Sequence, residues 1–160
     1  MLDRPCPQCG FDPSAITGGD VAAIIRAAVP RWLAVLERPD ATQRPSTGVW
    51  SAAEYACHVR DVCAVFDGRT RQMLTAQDPL FANWDQDQTA IEQRYWEQSP
   101  DQIGPALAAA AERAARTYGA IAPEQWARPG RRSNGSVFTV DSLGRYFVHD
   151  VGHHLYDVAG

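Results

Sequence analysis

The chain has 160 residues, 45% hydrophobic and 21% charged, proportions that fit one soluble globular domain with a substantial core. Its net charge of −4 argues against a nucleic-acid phosphate backbone as partner, and all fifteen basic residues are arginine, which excludes a Schiff-base or P-loop lysine. There is no apolar run of roughly 18 residues and no basic-then-apolar start, so neither a membrane span nor a signal peptide is expected, and the cytoplasm is the default compartment.

In chain order, residues 1–19 are punctuated by Pro and Gly and read as an irregular segment ahead of a helical domain over 20–160. The segment contains Cys6-Pro-Gln-Cys9-Gly10, a knuckle of the kind that wraps backbone amides around a zinc-bound thiolate. A first helix is predicted over 20–38, with Val21, Ile24, Ile25, Ala28, Trp32, Val35 and Leu36 on its apolar face, a kink at Pro30 and a stop at Pro39. A second is predicted over 51–76. Ser51-Ala-Ala-Glu54 forms its capping box, Trp50 is placed to staple onto Tyr55, and Tyr55, Val59, Val62, Phe66 and Met73 form the stripe. His58 lies on the edge of that stripe, with Asp61 following at i+3; Glu54 is committed to its cap. Residues 77–98 read as an aromatic-rich connection with a short helix at 87–96. A third helix, over 99–118, starts at the capping box Ser99-Pro100-Asp101-Gln102 and runs through an alanine-rich stretch. Pro123–Arg128 reads as one further turn, and 129–138 as a polar loop or short hairpin.

The last helix, over 139–158, holds three of the four histidines. Val140, Leu143, Phe147, Val151, Leu155 and Val158 recur at helical spacing. At roughly 100° per residue, His154 falls within the apolar stripe and Asp150 sits one turn earlier on the same edge. His149 and His153 form a second i,i+4 pair on the opposite side. A buried imidazole beside a buried carboxylate needs partners, and a metal ion serves both. The expected fold class is therefore all-α, a bundle of four long helices behind an irregular CxxC segment.

Two stretches, Trp50-Ser51-Ala-Ala-Glu54-Tyr-Ala-Cys-His58-Val-Arg-Asp61 and Asp150-Val-Gly-His-His154-Leu-Tyr-Asp157-Val158, resemble the DinB-like superfamily. That superfamily includes the amino-terminal domain of mycothiol-dependent maleylpyruvate isomerases and related thiol S-transferases. The resemblance covers nearly the whole chain after residue 20. It implies a four-helix bundle holding a divalent metal, often zinc or nickel, through three side chains at one end, and a homodimer. Carried onto this sequence, the ligands are His58, His154 and Asp150, although Asp150 stands where the pattern usually has Glu or His. His149 and His153 also satisfy ligand-x3-His and rank second.

Two imidazoles and a carboxylate leave an open position of the kind catalytic zinc sites keep, with Asp61 and Asp157 as candidates to orient the imidazole N–H groups. The first expectation is thus a metal-dependent S-transferase or isomerase using a low-molecular-weight thiol such as mycothiol. In it one of Arg60, Arg131, Arg132 or Arg145 would hold a carboxylate of the small-molecule substrate. The second is a non-catalytic bundle with a closed zinc site from Cys6, Cys9, His58 and His154. The third is a redox module cycling Cys6 and Cys9, disfavoured because no thioredoxin-like βαβ pattern surrounds them. Cys57 and Cys63 lie six residues apart on one helix, which separates them by roughly 120° and about 9 Å and leaves them poorly placed as ligands.

Overall fold

The computed structural model describes residues 4–160. Four long helices dominate: α1 (Val21–Leu36), α2 (Ala52–Thr75), α4 (Pro100–Gly119) and α5 (Val140–Asp157), with a short α3 (Gln86–Glu92) in the connection between α2 and α4. Both α1 and α2 pack mainly against α4 and α5, so the core lies enclosed among the four. None of these helices is long and apolar enough to cross a membrane.

Local chemistry fixes the helix starts. Ser51 N–H donates to Glu54 Oε2 at 2.8 Å while Ser51 Oγ accepts from Glu54 N–H at 3.2 Å, so the capping box opens α2 where the sequence places it. The Trp50 and Tyr55 rings meet edge to face at 5.5 Å, holding the entering chain against the helix. Thr139 caps α5 by accepting from Ser142 N–H at 3.1 Å, and Asp85 caps α3 by accepting from Gln88 N–H at 2.9 Å. α1 continues through Pro30 and ends just short of Pro39.

Packing between the helices is close. Val21, Ile25, Trp32 and Val35 of α1 are buried with Leu107, Ala111, Ala114 and Ala115 of α4 and Leu143, Phe147 and Leu155 of α5. Gly144 lets α5 approach its neighbours: a Cβ there would lie 2.8 Å from Tyr118 Cε1 and 3.0 Å from Val21 Cγ2. The Thr70 hydroxyl donates to Tyr118 Oη at 2.7 Å in a buried bond joining α2 to α4.

The all-α expectation needs one correction. A small sheet of order β1-β2-β3 is present, formed by β1 (Leu80–Phe81), β2 (Pro129–Arg132) and β3 (Val137–Thr139). β2 and β3 form the antiparallel hairpin that Asn134-Gly135 signals, with Gly135 at φ +90°. β1 joins in parallel, pairing Leu80 with Arg131 and Phe81 with Arg132. Two residues carry no readable alternation, and their partner lies about fifty residues away, so only the tertiary fold reveals this strand.

Candidate metal centre

The site lies where the second turn of α2 meets the C-terminal half of α5. Placed by the Ser51 cap, His58 is fully buried, at 0% exposure. Its ring stacks on Trp84 with centroids 5.4 Å apart and planes 3° from parallel, and it lies 5.5 Å from the Trp50 ring. From α5, Asp150 and His154 point to the same place one helical turn apart. His58, Asp150 and His154 each offer one donor atom, and these three atoms lie within 4.8 Å of one another. His58 Nε2 stands 3.6 Å from Asp150 Oδ1, and His154 Nε2 stands 3.3 Å from the same oxygen.

Neither ring nitrogen of His58 has a hydrogen-bond partner. A fully buried imidazole without partners costs on the order of 1–3 kcal/mol, which the fold must offset elsewhere. A divalent cation bound among the three donors would remove half of that penalty by engaging one nitrogen. The donor set is chemically right for one: two imidazoles and a carboxylate, held at separations that direct hydrogen bonding leaves unexplained. Orientation of His58 comes from its aromatic neighbours.

The carboxylates set the charge balance. Burial pushes the Asp150 carboxyl up, but the His154 and His58 imidazoles beside it more than compensate and hold it well below the usual carboxylate range. Burial likewise opposes charge on His154, and Asp150 and Asp157 overcome it, leaving the imidazole raised. Asp157 Oδ2 lies 2.8 Å from His154 Nδ1. That contact assigns the proton to Nδ1, which donates to the carboxylate, and leaves Nε2 free to face Asp150 and a cation. Replacing Asp157 with Ala is expected to weaken metal affinity about 10- to 100-fold with little loss of helix content. A titration with a chromogenic chelator checks it, and unchanged affinity would remove Asp157 from the site.

Asp61 is a correction. Its carboxylate accepts from Arg60 Nε at 2.8 Å and from the Tyr95 hydroxyl, so it orients no imidazole. The residue adjacent in sequence and an aromatic from the α3–α4 connection capture it first. Arg60 is thereby committed to Asp61, Gln98 and Gln93. Arg131 pairs with Asp78 at 2.9 Å and Arg145 with Asp141 at 2.6 Å. Arg132 lies over the Phe138 and Tyr146 rings, at 5.3 and 5.7 Å.

Cys6 and Cys9 do not join His58 and His154, which corrects the closed set expected from those four residues. The N-terminal segment instead lies along the other side of α5, and the two thiols gather with His149 and His153, again within 4.8 Å of one another. Cys57 and Cys63 are buried, and burial pushes both thiols up to about 12, so they are inert packing groups.

Two clefts reach the His58 cluster. One, of about 200 Å³, is lined by Trp50, Tyr55, Gln86, Asp87 and His154. The other, of about 210 Å³, is lined by Tyr146, His149, Asp150, His153, His154 and again Gln86. Gln86 has no part in the sequence-based expectation, and Trp84 enters it only as an aromatic of the 77–98 connection, a core or interface residue rather than part of the site. Gln86 opens the seven-residue α3 and Trp84 lies two residues before it, and the local signal there is the Asp85 cap.

Fold and cluster together define a mostly helical protein with a three-donor set built between two long helices. A family model described as the DinB superfamily matches residues 22–158, and the chain belongs to that superfamily. Among solved structures it is similar to YfiT from Bacillus subtilis, described as a probable metal-dependent hydrolase with an unusual four-helix bundle topology. The TM-score is 0.73 at 15% sequence identity, over 92% of this chain and 86% of that one. No curated protein matches the chain in sequence.

Proposed function

We propose that His58, Asp150 and His154 hold one divalent metal ion, zinc in the first instance, and that the protein is a metal-dependent enzyme joining a low-molecular-weight thiol to a second small molecule. The observation that carries the reading is the buried His58 ring, unpartnered at both nitrogens and only 3.6 Å from a carboxylate. When bound, the cation supplies a lowered pKa to a thiol or water that reaches it and holds the resulting anion as a nucleophile.

The chain's own residues do the rest. Asp157 fixes the His154 tautomer, and Trp50, Trp84 and Tyr55 wall the cluster against bulk water. Gln86, shared by both clefts, presents an amide to whatever occupies either. Two clefts meeting at one cluster suit a reaction between two organic molecules, which favours transfer or isomerisation with a thiol such as mycothiol. Hydrolysis, the reaction ascribed to similarly folded YfiT, is the second reading and needs only one cleft.

The test is conjugation of mycothiol, and separately glutathione, to a chromogenic electrophile by zinc-loaded protein. Thiol-dependent turnover that disappears on chelation supports the reading. Metal-dependent ester or amide hydrolysis with no response to thiols would replace it with the hydrolase.

A further inference from the structure

We infer that the chain carries a second, independent metal site: a closed, structural zinc centre made by Cys6, Cys9, His149 and His153. It differs from the first site in every donor, although His149 and His153 line one cleft with Asp150 and His154, and it does not depend on the enzyme reading above.

The donor count is that of a structural zinc centre: two thiols and two imidazoles, complete without water or substrate. The four donor atoms lie within 4.8 Å of one another. With zinc–sulfur near 2.3 Å and zinc–nitrogen near 2.05 Å, a tetrahedral centre has a sulfur-to-nitrogen edge of about 3.6 Å. Cys6 Sγ stands 3.7 Å from His153 Nδ1. Cys6 and His153 are thus spaced as two ligands of one ion.

The backbone around the thiols is shaped for the purpose. Gly10 N–H donates to the Cys6 carbonyl at 2.9 Å, and Cys6 N–H donates to the Phe11 carbonyl at 2.9 Å. Gly10 turns the chain at φ +74°, a conformation that glycine adopts without strain. On the helix side, His149 and His153 are one turn apart with rings 5.2 Å from each other. His149 Nε2 is buried and has no hydrogen-bond partner.

A metal here has a clear structural task. Among the described residues, the segment before α1 contains two single turns of 3₁₀ helix and is held to α5 by Gly18 N–H, which donates to Asp141 Oδ1 at 2.7 Å, and by two contacts nearer the thiols. Phe11 packs on the His149 ring at 5.1 Å, and Arg145 donates to the Pro13 carbonyl at 3.2 Å. Joining Cys6 to His153 would close nearly the whole chain into a loop, the case in which a cross-link removes most unfolded-state entropy. The centre also braces the other site. His153 and His154 are consecutive, and Asp157 reaches both, at 3.7 Å from His153 Nε2 and 2.8 Å from His154 Nδ1.

The experiment is elemental analysis of purified full-length protein, alongside Cys6→Ser/Cys9→Ser and His58→Leu, with cobalt(II) substitution of all three. Two equivalents of metal are expected in wild type and one in each variant. The cobalt protein should show near-ultraviolet sulfur-to-metal charge transfer and intense visible tetrahedral bands. The charge transfer should vanish in the cysteine variant and persist in His58→Leu. One equivalent lost only with the cysteines would support this site and sink the His58 centre. One equivalent lost only with His58 would do the reverse. A wild-type cobalt spectrum without sulfur charge transfer, or a Cys6–Cys9 disulfide in protein purified under reducing conditions, overturns the inference even if the cysteine variant fails to fold.

Discussion

His58→Leu is expected to abolish metal binding at the Asp150/His154 cluster without weakening the metal-free protein. The two halves of that result separate a ligand from a packing residue. In metal-free protein the imidazole keeps two buried nitrogens without partners, a burden on the order of 1–3 kcal/mol. Leucine has similar volume and no polar atoms, so it relieves that burden while giving up the Trp84 stack. The metal-free variant should therefore fall within about 1 kcal/mol of metal-free wild type, or above it. Zinc should separate the two proteins. At a hundredfold excess over its dissociation constant, a ligand bound only by the folded state adds about 2.7 kcal/mol, and the variant should lose that increment for this site. Chemical denaturation with chelator and with zinc measures both numbers. A variant that binds as tightly as wild type, or whose metal-free form loses the roughly 2–5 kcal/mol of a damaged core, would make His58 a packing histidine.

Glu54→Ala carries the second large effect, about 2–4 kcal/mol of stability. This carboxylate is 2% exposed and serves two partners. It accepts the Ser51 N–H at 2.8 Å, closing the α2 cap, and it receives the Arg44 guanidinium, with Nε 2.9 Å from Oε2. Truncation leaves a buried amide unpaired and Arg44 without its anion. His58 follows one turn later on the same helix, so fraying at Ser51 also displaces a donor, and zinc affinity should fall with stability. The pH dependence has a definite sign. Burial works to raise the Glu54 carboxyl, but the hydrogen bonds from Arg44 and Ser51 prevail, and its folded-state pKa lies below the ordinary glutamate value of 4.5. A depressed carboxyl contributes stability that is fully present above the unfolded pKa and is lost as pH falls through the folded one. Wild type should therefore destabilise on acidification below about pH 4.5, and Glu54→Ala should show a shallower slope there. Parallel slopes would mean that Glu54 is not the linked group.

Much of this was legible in the sequence because it rests on local chemistry. Capping boxes at Ser51 and Ser99 and the cap at Thr139 start α2, α4 and α5 within one residue of expectation, since a side chain that satisfies a backbone amide three residues away needs no tertiary help. Helical spacing likewise placed Asp150 and His154 on one edge, and the structure brings them to His58 because all three sit on stripes that must face the interior.

Spacing gave the direction of His149 and His153 and could not say what would come to meet them. The irregular segment before residue 20 has no period to read, and its path along α5 is decided by Phe11 on His149 and by Arg145 at the Pro13 carbonyl. For the same reason the cysteines pair with the outer histidines and not with His58 and His154. Asp61 shows the limit from the other side. Its position on α2 permitted an approach to an imidazole, but Arg60 and Tyr95 bind it first. β1 has two residues and a partner strand in parallel register far along the chain, a pairing that no local pattern encodes. Where each group's nearest neighbour in space is also near in sequence, the amino acids alone determined the outcome. Where competing partners arrive from distant segments, only the packed fold chose among them.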